Sequence, residues 1–223
     1  MRDILKQNKL FLSLFAVYFV VLFALVMYNQ HGDGVLFFAK HRTELANNFF
    51  VFMSKVGEGA GYVFCFVLLL VIGFRWIDSL AFIITGLLVA GITYFAKDFF
   101  SRTRPLPYLN SLKLGDQLNL IEGVYVYVAP TSFPSGHTTS GFALFALLAF
   151  FTWKKPVLVI LFFITAMMIA ISRVYMVQHF LVDILGGSTL GVAIALFVKY
   201  LLHRIHLPKS HWLNKRLTSQ RHF

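Results

Sequence analysis

The sequence predicts an all-α, polytopic membrane protein with six transmembrane helices, and three observations predict it. Of its 223 residues, 58% are hydrophobic and 13% are charged, whereas soluble domains run near 45–50% apolar and about 25% charged. The apolar excess lies in long blocks, the pattern of chains that span lipid. Nearly all of the Lys and Arg residues fall between those blocks or at their edges.

A helix crossing hydrocarbon needs about 20 apolar residues. The blocks run near 10–28, 61–74, 80–96, 138–152, 157–171 and 184–202, and the second and fourth have the least defined edges. The first follows Arg2, Lys6 and Lys9, as a secretory signal would. It ends Val26-Met27-Tyr28-Asn29-Gln30 with no small-x-small cleavage site, so it reads as an uncleaved anchor. Two connections are long, 29–60 and 97–133. Within the second, 121–128 alternates weakly and is rich in Tyr and Val, which suits a short strand or an interfacial segment. No repeat or low-complexity tract interrupts the chain, and a single membrane domain over 1–223 is expected.

Charge sets the orientation. With six spans, one side collects twelve of the twenty Lys and Arg residues and only two of the nine carboxylates, Asp3 and Asp78. Cations concentrate on the cytoplasmic side of a membrane protein, so both termini are expected there. Trp76, Trp153 and Trp212 fall on the same side, where an aromatic belt sits. The net charge of +11 is spread among the inter-block segments, which fits a membrane surface and no nucleic acid partner. The lone cysteine, Cys65, allows no intramolecular disulfide and leaves the redox compartment unreadable.

Three runs carry the chemistry: Lys97 to Pro105, Pro134-Ser135-Gly136-His137, and Ser172 to Asp183. Given six spans, all three fall at span ends on the side opposite the basic one. Lys97, Arg104 and Arg173 can neutralise phosphate oxygens, arginine with a two-pronged fork and lysine as a compact charge. Ser135 is a candidate helix cap, and Gly136 behind it permits close approach of an anion to free backbone N–H groups. His179 and Asp183, four apart, are expected on one helical face. A carboxylate on one ring nitrogen fixes the tautomer and frees the other nitrogen to attack. Taken singly, each group also reads as an interfacial cation or an ordinary cap; their joint occurrence favours chemistry.

These residues resemble the phosphatidic acid phosphatase type 2 superfamily, which also includes the vanadium haloperoxidases. Its signature is Lys-x6-Arg-Pro, then Pro-Ser-Gly-His, then Ser-Arg-x5-His-x3-Asp. Lys97, Arg104 and Pro105, then Pro134 to His137, then Ser172, Arg173, His179 and Asp183 match every fixed position in order. The resemblance implies a lipid phosphatase at the extracytoplasmic membrane edge. In it His179 becomes a phosphohistidine oriented by Asp183, and His137 protonates the leaving oxygen and then activates water. Lys97, Arg104, Arg173, Ser135 and Gly136 hold the phosphate. It implies no metal and no cofactor; the partners are a lipid phosphate and the bilayer, with no obligate protein. Within the family a polyprenyl (undecaprenyl) diphosphate is the favoured substrate. Phosphatidic acid, phosphatidylglycerophosphate and lipid A are the alternatives.

Two other function classes fit the sequence less well. A transporter would place ionisable groups near mid-membrane on broken helices, whereas here they sit at span ends. A haloperoxidase is disfavoured because members of that branch are soluble and larger. His203, His206 and His211 offer at most two groups on one helical face, too few for a metal site. Gly187-x3-Gly191 is read as a close helix contact, and Asp98 as a local salt partner of Lys97. Arg102, Lys55 and Glu58 share the active side, but no spacing argument selects them.

Overall fold

In chain order the protein folds into α1 (Arg2–Gln7), α2 (Lys9–Tyr28), α3 (Asp33–Lys40), α4 (Glu44–Val56), α5 (Gly59–Ile72), α6 (Trp76–Phe100), α7 (Pro105–Ser111), α8 (Gly136–Phe151), α9 (Pro156–Tyr175) and α10 (Leu181–Arg204). Short 3-10 turns cover Gly115–Leu118 and Trp212–Asn214. The structure is a computed structural model that describes residues 2–72, 74–205, 208 and 211–215, the side chains at 60 and 68–72 excepted. His206, Lys209, Arg216 and Arg221 lie outside the described residues.

Each expected apolar block is a helix: α2, α5, α6, α8, α9 and α10. Four helical stretches are long and apolar enough to cross a membrane: α2, α6 with its continuation into α7, α9 and α10. A fifth candidate joins α4 to the start of α5 across a 62° bend. Helix α8 is shorter than a full crossing. The chain is an integral membrane protein by these helices, with four or five candidate spans rather than a demonstrated six.

Helix α8 explains the architecture. Its sequence is apolar on every side, and a helix without a polar face belongs in a core. Twelve of its 16 residues are buried, from Thr138 to Phe150. Helices α6, α9 and α10 pack around it. Small residues set how close α10 comes. A Cβ on Gly187 would lie 2.7 Å from the Ser135 carbonyl oxygen, and one on Gly191 would lie 2.5 Å from that of Thr139. The Gly187-x3-Gly191 pattern is thus a packing seam against α8, as the sequence suggests. Helix α2 closes the bundle with aromatic edges, Phe11 meeting both Phe150 and Phe163 at 5.6 Å.

The two long connections are structured. The 29–60 segment folds into α3 and α4, neither of them expected from hydropathy. Thr43 caps α4, its Oγ1 accepting from the Ala46 N–H at 3.2 Å. The 121–128 segment is not a strand, and no strand occurs among the described residues. A strand needs a partner ladder; here the Gln178 side chain takes that place. Its Nε2 donates to the Tyr125 carbonyl at 2.8 Å, and its Oε1 accepts from the Tyr127 N–H at 3.4 Å.

Candidate active site

Each candidate site residue sits at or beside the end of a helix, and Arg104, Ser135, Arg173, His179 and Asp183 are buried there. Lys97 is in the last turn of α6, and Arg104 immediately precedes α7, whose first residue is Pro105. Proline suits that position because its missing N–H would have no helical partner. Ser135 caps α8, its Oγ accepting from the Thr138 N–H at 3.4 Å and the Thr138 hydroxyl at 2.9 Å. Gly136 and His137 form the first turn behind that cap. Arg173 lies in the last turn of α9.

The α9–α10 turn aims His179. Val177 adopts a positive φ of 60°, a region a β-branched residue rarely occupies. The turn is fastened by the Gln178 and His179 N–H groups, which both donate to the Arg173 carbonyl, at 2.9 and 3.2 Å. Asp183 then opens α10, its Oδ2 accepting from the Phe180 N–H at 2.8 Å and the Ser132 hydroxyl at 2.5 Å. His179 Nδ1 lies 3.5 Å from the same oxygen, without an aligned hydrogen bond. His179 therefore does not share a helical face with Asp183, as its spacing suggested. It precedes α10, and the two meet because Asp183 reaches back to cap the helix.

Each of the three runs touches the other two. The Ser135 N–H donates to the Asp183 carbonyl at 3.1 Å. Arg104 Nη1 donates to the Gln178 carbonyl at 2.9 Å. A Cβ on Gly136 would stand 3.8 Å from Lys97 Nζ, so the ammonium passes over the start of α8. The charges of Arg173, His179, Lys97 and Arg104 all act on the His137 ring. All eight selected residues, Lys97, Arg104, Ser135, Gly136, His137, Arg173, His179 and Asp183, are brought together.

Arg104, Arg173, His179 and Asp183 are 5% exposed or less. Buried polar atoms are normally hydrogen-bonded, and the exceptions call for a reason. Among the described residues nine buried side-chain N or O atoms have no partner, and five belong to this set: Arg104 Nε, His137 Nε2, Arg173 Nε, His179 Nδ1 and Asp183 Oδ1. An anion with several acceptor oxygens would satisfy the cationic members. Burial pulls the His179 pKa down from its ordinary 6.5 to about 4, against the opposing pull of Asp183, while Arg173 and Arg104 add to the fall. The ring is neutral near pH 7, the form in which imidazole nitrogen is nucleophilic.

Several neighbours were not selected from the sequence. Ser132 carried no motif signal; only the fold shows its hydroxyl on Asp183. Thr131 accepts from Arg104 Nη2 through both its carbonyl and its hydroxyl at 3.3 Å, and the Tyr127 ring lies 5.2 Å from that guanidinium. Ser54, on α4, accepts a short hydrogen bond from Arg173 Nη1. Asp98 makes no ion pair with Lys97, because adjacent helical residues point apart. Among the described residues no group of three or more His, Cys, Asp or Glu side chains is placed to hold a metal, His203 and His211 included.

A profile of the PAP2 superfamily matches residues 76–206, more than half of the chain. The chain belongs to the PAP2 superfamily. All eight selected residues fall inside the matched region. Phosphatidylglycerophosphatase B of Bacillus subtilis (strain 168) is 34% identical over 82 residues, covering 33% of this chain and 40% of that relative's length. The fold is shared with a transmembrane PAP2-type phosphatidylglycerolphosphate phosphatase from Bacillus subtilis, with a TM-score of 0.63 at 22% identity over 88% of this chain and 97% of that one. It is shared too with LpxE of Aquifex aeolicus, with a TM-score of 0.62 at 22% identity over 78% and 96% of the two chains.

Proposed function

We propose that this PAP2 protein is a metal-independent phosphatase that removes phosphate from a membrane lipid through a phosphohistidine intermediate. The observation that carries the reading is the pair of unpartnered buried Nε groups on Arg104 and Arg173, brought from two distant runs to the side of His137, His179 and Lys97. Fixed cations in a site that excludes water stabilise the charge that develops on a transferring phosphoryl group.

The steps follow from the groups present. The guanidinium groups of Arg104 and Arg173, the Lys97 ammonium and the N–H groups at the start of α8 seat the phosphate oxygens. Asp183 faces His179 Nδ1, so Nε2 is the nitrogen that attacks. The P–N bond forms as the bond to the leaving oxygen breaks, and His137 gives that oxygen its proton. Water then attacks phosphorus, the P–N bond breaks, and His137 takes the proton from water as inorganic phosphate departs. No step requires a metal, so chelation with EDTA should leave turnover unchanged.

In this reading six helices span the bilayer, α8 included, with both termini cytoplasmic, the membrane the cytoplasmic (inner) one, and the site at the opposite, extracytoplasmic edge. The whole of 1–223 acts as one domain. A site at that edge reaches a headgroup phosphate while the hydrocarbon stays in lipid. The resemblance favours a polyprenyl (undecaprenyl) diphosphate as substrate. The named relatives add a specific reason for a second reading, phosphatidylglycerophosphate; phosphatidic acid and lipid A complete the class. The test is phosphate release by the purified protein in detergent across these four lipids, with EDTA present. Release from at least one, absent in His179→Ala, supports the proposal. No release from any of them sinks it, and the lipid with the highest kcat/KM identifies the substrate.

A further inference from the structure

Residues before 76 lie outside the region matched by the PAP2 profile, yet α4 is built onto the site. Three polar anchors fix it to the end of α9. Arg173 Nη1 donates to Ser54 Oγ. The Tyr175 hydroxyl donates to Asn47 Oδ1 at 2.6 Å. Arg42, just ahead of α4, donates from Nη2 to the Tyr175 carbonyl at 2.7 Å. The Phe50 ring adds contact with the Tyr175 ring, their centroids 4.4 Å apart.

These anchors determine where α4 stops. Gly57 ends the helix against Ile169, and a Cβ there would stand 2.5 Å from Ile169 Cγ2 and 3.6 Å from the His137 carbonyl oxygen. Glycine lets the chain pass this close to Ile169 of α9, which brings it alongside the start of α8. The next residue, Glu58, consequently brings its Oε1 to 3.6 Å from His137 Nε2. That nitrogen is buried and has no hydrogen-bond partner. The groups facing the His137 ring from the other elements are cationic or neutral: Lys97 from α6, Arg104 from the α6–α7 turn, Arg173 from α9 and His179 from the α9–α10 turn. Glu58 supplies the one carboxylate at its Nε2 among the described ion pairs.

We infer that Glu58 is a positioning residue for proton delivery: its carboxylate faces the His137 ring and holds it in the protonated, correctly turned form that donates to the leaving oxygen. This rests on the phosphatase reading above and extends it to an element outside the profile match. A general acid ringed by cations is discouraged from carrying a proton, and the arriving phosphate is spent on those cations. A carboxylate at Nε2 offsets that repulsion and leaves Nδ1 as the nitrogen that donates to the leaving oxygen. Glu58 is half exposed, at 49%, so screening keeps the effect modest.

The test uses full-length protein in detergent and two substrates of opposite demand. A short-chain alkyl phosphate loses an alkoxide and needs the proton; p-nitrophenyl phosphate loses a stable anion and scarcely needs it. The quantity read is kcat/KM, which covers only the steps up to departure of the first leaving group. Glu58→Gln should lower kcat/KM for the alkyl phosphate by roughly threefold to fivefold and leave the aryl phosphate unchanged. Glu58→Asp, which keeps the charge but withdraws it by one methylene, should lose less. Glu44→Gln, at the exposed start of α4, is the control and should change neither. Equal losses on both substrates, or no loss on either, overturn the inference. Wild-type protein inactive on both substrates and on the lipid panel would instead overturn the phosphatase reading itself. Should Glu58→Gln fail to purify folded, the alkyl-to-aryl ratio in Glu58→Asp decides by the same criterion.

Discussion

A histidine in a cationic pocket is held neutral by its surroundings, and for His179 the main cause is burial, which outweighs the carboxylate of Asp183. Its pKa near 4 lies below the 6.5 of an exposed ring. Between those values the unfolded chain binds a proton that the folded chain does not. The stabilising contribution is therefore full above about pH 6.5 and falls as the pH drops toward 4, at no more than about 1.4 kcal/mol per pH unit. Thermal melts in detergent should show wild type losing stability between pH 7 and pH 5 more steeply than His179→Ala. Parallel slopes would contradict a depressed pKa. The acid limb of kcat/KM should likewise sit well below pH 6. In the proposed mechanism the two histidines part company in their dependence on leaving group. His179→Ala removes the nucleophile and should abolish turnover of every substrate. His137→Ala removes a proton donor, a contribution of about 10²–10⁴-fold. Its loss should appear in full with phosphate monoesters, whose leaving alkoxide needs the proton. Diphosphates, which release a phosphate, should suffer much less. Equal losses with the two substrate types would assign His137 another role.

Helix ends carry this site, and helix packing determines how accurately they meet. The seam between α8 and α10 places Ser135 against Asp183 through one backbone hydrogen bond of 3.1 Å, directly beside Gly187. A methyl group on Gly187 meets a backbone oxygen, which cannot swing aside as a side chain does. Gly187→Ala should cost about 1–3 kcal/mol of stability and push the start of α10 away from that of α8. Activity should fall further than the folded fraction does, measured by comparing kcat with the area of the folded peak on size exclusion. Gly186 is a different case, because its neighbour is the Phe133 ring. The sequence disclosed the parts of this arrangement that depend on local pattern. Ser135 as a cap and the small-residue seam were readable because each has a fixed spacing. The α4 anchors were not, since Ser54 and Asn47 gain their meaning only from partners more than a hundred residues away. The strand alternative for 121–128 fails for the same reason: alternation suits a strand or an interfacial segment, and only the fold reveals that Gln178 occupies a strand partner's position.

Across the whole molecule, hydropathy located all the apolar helices yet could not say how many cross. Helix α8 has 16 residues and is almost wholly enclosed by protein, so its apolar sequence serves the core as much as the bilayer. Helix α2, by contrast, has only 11% of its apolar stretch buried and leaves an apolar surface uncovered by protein. Charge supplies what hydropathy lacks. If α8 crosses, the α8–α9 turn with Lys154 and Lys155 lies opposite the site, on the face that carries most of the cations. If it does not, α9 carries Arg173 and His179 to the face opposite Lys97 and Ser135, against the contacts among the three runs, and the concentration of Lys and Arg loses its physical reason. The two topologies are separable by thiol labelling in a Cys65→Ser background, because Cys65 is the sole native thiol. Asn119→Cys, in the exposed turn after Leu118, should react with a membrane-impermeant maleimide in intact cells. Lys155→Cys, exposed ahead of α9, should react only after the membrane is opened. Labelling of both in intact cells would overturn the six-span arrangement and, because α9 joins Lys155 to Arg173, the meeting of the three runs at one membrane face.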